Sequence, residues 1–239
     1  MQDSLYVSLS SQIALERRLT TIADNVANAG TVGFRATNIK FEELVNGLRS
    51  DATAFVSTGD SFLSTHSGAM ERTGGALDFA IQGDAWFAID TPAGMVMTRD
   101  GRFKLLETGD LVTLTGYPVL DPGGAAITLN PAAGEPTVGR DGFLHQDGKQ
   151  VGAIGLFDFQ PGPNFRRFEN SGVIPEMPPE PAIDRLDVGV VQGFVEQSNV
   201  NPLKELTKLI MVQRAFENAA AAIRDTEAAY DETIKAFEA

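Results

Sequence analysis

Few residues of this sequence have types that could do chemistry: His66 and His145, the aspartates Asp78, Asp84, Asp100 and Asp141, and the aromatic pair Trp86 and Phe87. A protein metal site draws on histidine, cysteine or carboxylate ligands at short, regular spacings. His66 lies in a polar run, His145 stands near an Asp-Gly turn, neither has the other within four residues, and there is no cysteine. Both read as solvated histidines, and no metal or cofactor is expected. A glycoside hydrolase needs two opposed carboxylates. Asp100 and Asp141 each precede a glycine, where an aspartate commonly bonds its own backbone in a turn; Asp78 and Asp84 lack that explanation and stay open. Trp86 and Phe87 could stack on a sugar, but neighbours in a strand point to opposite faces, so one ring is expected in the core and the other against a neighbour. Nucleophile-elbow, dinucleotide and phosphate-loop strings are absent. No enzyme, and no small-molecule substrate, is expected. A wall-glycan-binding or hydrolysing β domain is the alternative these aspartates leave.

The elements that would position these residues fall into three parts. At the amino end Leu15, Leu19, Ile22 and Val26 recur at spacings of four, three and four, and Leu5, Leu9 and Ile13 continue the face, which predicts a helix over 5–28. Asn28 and Gly30 are read as its stop, the glycine taking the left-handed cap. At the carboxyl end Leu206, Leu209, Gln213, Phe216, Ala220, Ile223, Glu227, Tyr230, Ile234 and Phe237 alternate spacings of three and four. That is a coiled-coil seam, with Asn201 as cap, Pro202 in the first turn, and a length of about 54 Å. Gln213 and Glu227 either sit at a wet edge or fix register as buried polar groups do. Between the helices the period drops to two in runs such as ALDFAIQ, AWFAID and LVTLT, separated by RDGR, DPGG and QDGK. Such punctuation predicts a hairpin-rich antiparallel domain.

The predicted class is therefore α+β: terminal helices forming a coiled-coil axial domain around a central, mostly antiparallel all-β domain. The expected segments are 1–35 as helix and Gly-rich turn, 36–72 as an extended connector, 73–195 as the β domain and 196–239 as the helix pairing with the amino end. The acidic, proline-rich EMPPEPAID is expected to skirt the β domain.

The formal net charge is −13, and it resides in the middle. Residues 1–49 carry five cations against five acids, residues 50–195 nine against nineteen, and residues 196–239 five against eight. Such a surface repels phosphate backbones and anionic lipid, so no nucleic acid is expected as partner. No window approaches the roughly 20 apolar residues of a membrane span, and the polar amino terminus does not read as a cleavable signal. No membrane insertion is expected.

Three stretches together carry a resemblance. ADNVANAGTVGFR presents Asn25, Asn28, Thr31, Gly33, Phe34 and Arg35 in an A-N-N-x-A-N-x-x-T-x-G-F-[KR] pattern, with Asp24 where asparagine is usual. GGALDFAIQGDAWFAID supplies Leu77, Asp78, Ile81, Gly83, Trp86 and Phe87, and MTRDGRF supplies Thr98, Arg99, Gly101 and Phe103. VEQSNVNPLKELTKLIMVQRAFE contains Glu196, Ser198, Asn199, Val200 and Asn201, then Gln213, Arg214, Phe216 and Glu217. In order and position these resemble the motifs of flagellar rod and hook axial proteins, and Trp86 with the modest length resembles the proximal-rod type more than the distal-rod or hook type. The resemblance implies a structural subunit of the bacterial flagellar basal-body rod, part of a torque-transmitting hollow shaft. It also implies copies of itself and neighbouring proximal and distal rod proteins as partners. The flagellar type III export apparatus would carry the chain to a periplasm-spanning rod without a cleaved signal.

Overall fold

The computed structural model describes residues 2–41, 43–46, 53–57, 59–183 and 185–238. The chain divides into two compact units, one of residues 1–27, 37–62 and 201–239 and one of residues 28–36 and 63–200.

In the first unit, helix α1 runs Gln2–Ala27 and helix α2 runs Pro202–Glu238, and the two pack on each other. The cap at Asn201 is present: its side-chain Oδ1 accepts the Lys204 N–H at 3.0 Å and its carbonyl accepts that of Glu205. The stop of α1 differs from expectation. Thr31 N–H bonds the Asn28 carbonyl, Gly30 has no positive φ, and the left-handed residue of this stretch is Gly33 at φ +72°. The helix is thus ended by a turn built on Asn28 and Thr31, whose side chains also bond each other at 3.1 Å.

The face of α2 differs too. Glu205 and Val212 are buried and Leu209, Phe216 and Ile223 half-buried, whereas Leu206 is 44% exposed and Gln213 lies in solvent. Through its first turns the packed stripe runs 205, 209, 212, 216, one residue before the expected 206 and 213. The physical reason is local: Glu205 is taken inward to accept from Asn25 Nδ2 at 3.5 Å and from Lys208 Nζ at 2.6 Å. On α1, Ile22 is buried and Leu15, Leu19 and Val26 half-buried, while Leu9 and Ile13 are exposed. The side chains of Leu5, Glu227, Tyr230, Ile234 and Phe237 lie outside the described residues.

The segment 36–72, expected as one extended connector, contains strands Thr37–Lys40, Glu43–Asn46, Thr53–Val56, Asp60–Leu63 and Met70–Arg72. Glu43–Asn46 and Thr53–Val56 pair as an antiparallel hairpin. Met70–Arg72 pairs with the distant Phe194–Glu196, a partner no local pattern announces.

The second unit is a set of antiparallel sheets. The largest has six strands in the order Arg166–Phe168, Gly172–Ile174, Gly94–Thr98, Trp86–Thr91, Leu156–Asp158, Glu180–Pro181. Its last strand comes from the EMPPEPAID stretch and lies at the edge, where proline's missing donor is tolerated. Both faces of the sheet are covered, so its central strands are apolar on both sides. Phe87, Ile89 and Val96 face one cluster with Phe79, Leu111 and Leu144, while Trp86, Ala88 and Met97 face a second with Phe157 and Val173. The two adjacent aromatics thus point to opposite faces, and both are buried.

Candidate functional site

Three positions remote in sequence meet at one buried ionic junction. Arg35, Arg99 and Glu196 are 2, 1 and 1% exposed. Glu196 Oε1 pairs with Arg35 Nη2 at 2.8 Å, and its Oε2 with Arg99 Nη1 at 3.1 Å. Each charge is delivered by a specific local structure. Arg99 follows the strand Gly94–Thr98, whose Thr98 Oγ1 accepts the Asp100 N–H and starts a turn. Glu196 ends the strand Phe194–Glu196, and its carbonyl accepts the Gly33 N–H at 2.7 Å. Arg35 leaves the Thr31–Phe34 turn, where a Cβ on Gly33 would stand 2.3 Å from the Asp100 nitrogen. Only glycine fits there, on conformation and on space.

One carboxylate serves two cations, so other groups must complete the junction. Arg35 Nη1 donates to the carbonyls of Thr65 and His66 at 2.7 and 2.6 Å, and Nη2 to Ser67 Oγ at 3.2 Å. Arg99 donates to the carbonyls of Gly83 at 2.9 Å and Ile81 at 3.4 Å. Glu196 Oε1 also accepts the Gly68 N–H at 3.0 Å. The Trp86 ring lies 5.8 Å from the Arg35 guanidinium and 5.4 Å from that of Arg99, within cation–π range of both. The Nε groups of both arginines are buried with no hydrogen-bond acceptor among the described residues. Burial pushes the Arg99 guanidinium down to about 10; Glu196 opposes that shift and Arg35 adds to it. It remains a cation at neutral pH. Asp84 approaches Arg99 only at 3.7 Å with its side chain 62% exposed, and contributes little.

The arrangement is closed: all three side chains are out of water and each charge is engaged by another. It can hold strands together. A buried pair is no more stable than well-packed apolar groups, but removing one member leaves an uncompensated charge.

The remaining motif residues divide between the two units. In the second, Phe34, Ile81, Phe87, Thr98, Phe103 and Val200 are buried and Leu77 packs on the core. Gly83 has φ +94° and meets the Asp187 carbonyl, and Gly101 meets that of Phe79, so neither position has room for a Cβ. Ser198 Oγ accepts the Val200 N–H, and Asp78 forms a backbone bridge with Arg102. In the first unit, Asn25 brackets Thr37, donating to its carbonyl and accepting its N–H, both at 2.9 Å. Gln213 bonds Glu217 on the surface of α2, beside exposed Arg214. Among the other aspartates, Asp100 binds Arg102 through both oxygens and Asp141 accepts the Phe143 N–H in its own turn. No group of three histidines or acids that could hold a metal ion occurs among the described residues, and no helix there is long and apolar enough to cross a membrane.

Sequence reasoning missed Glu205, Val212 and Arg167. Arg167 donates to the Arg35 carbonyl and stands 4.3 Å from the Phe34 ring. An arginine in an acidic β segment carries no signal of that role. The 205, 209, 212, 216 spacing was a legible signal, obscured because its first member is charged.

Comparison with known proteins finds three family models along the chain: "Flagella basal body rod protein" over 5–35, "Flagellar hook protein FlgE/F/G D1 domain" over 80–145, and "Flagellar basal body rod FlgEFG protein C-terminal" over 191–235. The chain is 61% identical over 235 residues to the flagellar basal-body rod protein FlgF of Mesorhizobium japonicum, and 56% identical over 235 residues to that of Rhizobium meliloti. Each match covers 98% of both chains. The FlgF of Caulobacter vibrioides is 38% identical over 95% of this chain and 94% of its own.

Proposed function

The chain belongs to the flagellar basal-body rod protein family and is a structural, FlgF-like rod subunit; on that premise we propose that it forms part of a hollow shaft transmitting torque across the periplasm. Its terminal helices pack in coiled-coil fashion with each other and with those of adjoining subunits, and the β unit makes lateral contacts. The partners are further copies of this chain and proximal and distal rod proteins, reached after passage through the flagellar type III export apparatus.

One observation carries this reading. After α1 and α2 have packed together, α2 still exposes Leu203, Leu206 and Ile210, spaced three and four apart, and α1 exposes Leu9 and Ile13. A helix that is apolar on two faces has a second partner. The reading is supported further by the buried junction, which joins one residue from each of the three family motifs. The test is Ile210→Asp in a strain lacking the native copy. The purified variant should keep its helix content and the cells should lose rods and motility; normal rods and normal swimming would refute the second-face contact.

A further inference from the structure

Resting on the rod-subunit reading, we propose that Asn199 is a positioning residue: its side-chain amide fixes the spacing of the points where the backbone leaves the β unit, and torque transfer depends on that spacing. The backbone passes between the two units four times, at 27/28, 36/37, 62/63 and 200/201. Within the β unit, Asn199 stands one residue from the last crossing and reaches those at 36 and 63. Its Oδ1 accepts the Ala36 N–H at 2.7 Å, and its Nδ2 donates to Ser64 Oγ at 3.0 Å and to the His66 carbonyl at 2.7 Å. Its own N–H donates to the Phe34 carbonyl at 3.2 Å, and Ser64 N–H closes the ring on the Ala36 carbonyl at 2.8 Å. The remaining crossing, at Asn28, is tied in through the Asn28–Thr31–Phe34 turn.

The amide oxygen is therefore spent on the exit at 36 and both amide hydrogens on the exit at 63, so one side chain ties those two exits to its own, at 200. Force carried through the covalent crossings acts on these exits. Bonds shared through one amide oppose their separation together, whereas the core of the β unit, built around Phe87 and Leu144, lies in a separate cluster that lacks Asn199. The neighbouring Arg35, Arg99 and Glu196 junction holds the fold closed; Asn199 sets where its exits stand. A carboxylate at 199 can still accept from Ala36 and Ser64 but cannot donate to the His66 carbonyl, and alanine can do none of the three.

The test is amide hydrogen exchange on the purified full chain, combined with rotation under load in cells that carry each variant as the sole copy. In Asn199→Ala, exchange at Ala36 should rise about ten-fold, the scale of one lost hydrogen bond, while amides of Phe87 and Leu144 stay within about two-fold. Asn199→Asp should restore protection at Ala36. Cells with the alanine variant should assemble rods yet lose rotation in viscous medium, and the aspartate variant should recover part of it. Unchanged exchange at Ala36, or a rise shared equally by the core amides, overturns the clamp. Accelerated exchange at Ala36 with wild-type rotation under load overturns its part in torque. A deletion strain that swims normally without any copy of the chain would instead remove the rod-subunit reading, leaving the exchange result to stand alone.

Discussion

Replacing Glu196 by alanine is the sharpest test of the buried junction. The carboxylate accepts from Arg35 at 2.8 Å, from Arg99 at 3.1 Å and from the Gly68 N–H at 3.0 Å, all out of water. Even with it in place, burial holds the Arg99 guanidinium below its ordinary range, so desolvation already outweighs the attraction. Without it, two buried cations are left beside the Trp86 ring with no carboxylate between them. Removing one partner of a buried pair costs about 3–5 kcal/mol. That is a large part of the roughly 5–15 kcal/mol by which a domain is stable. Trp86 is the sequence's single tryptophan, 4% exposed and within 6 Å of both guanidinium groups, so its fluorescence reports on the junction itself. In urea, with a slope of about 2 kcal/mol per molar, the midpoint should fall by roughly 1.5–2.5 M with the slope unchanged. A fall below about 0.5 M would refute the claim that Glu196 is the counter-charge on which the two arginines depend.

Four further outcomes follow from the same geometry. Asp84→Asn should lower stability by less than about 0.5 kcal/mol in the same titration, since that carboxylate is largely exposed and 3.7 Å from Arg99. Gly33→Ala and Gly74→Ala should differ although their φ values, +72° and +75°, match: only at Gly33 would the new Cβ meet backbone, so its loss should exceed the roughly 1 kcal/mol expected at Gly74 by at least about 2 kcal/mol in urea denaturation. Val212→Asp should reduce helix content of the isolated chain by circular dichroism, whereas Leu206→Asp should leave that content unchanged and act on rod incorporation. Arg167→Ala should loosen the Phe34–Arg35 stretch, read as faster exchange there, with little change at Leu144.

Much of the architecture was legible without coordinates, because it rests on short-range rules. Alternating three and four spacings gave both helices, and Asn201 before Pro202 gave the start of α2 to the residue. Asp-Gly punctuation marked the turns of the hairpins around Phe143–Gln146, though not the turn at Thr91–Gly94, and strand alternation placed Trp86 and Phe87 on opposite faces. The proline-rich stretch supplied the sheet edge, as missing donors require. Tertiary structure alone decided which charges leave water. Charged side chains are ordinarily solvated, so nothing local distinguishes Arg35, Arg99 and Glu196 from their exposed counterparts until pairing of Phe194–Glu196 with Met70–Arg72 carries Glu196 inward. The packed face of α2 was decided the same way. A one-residue step turns a helix by about 100°, and Glu205 could displace Leu206 from the buried stripe only because Asn25 and Lys208 were there to receive it. Periodicity finds a stripe; the partners that satisfy its polar members choose which stripe is buried.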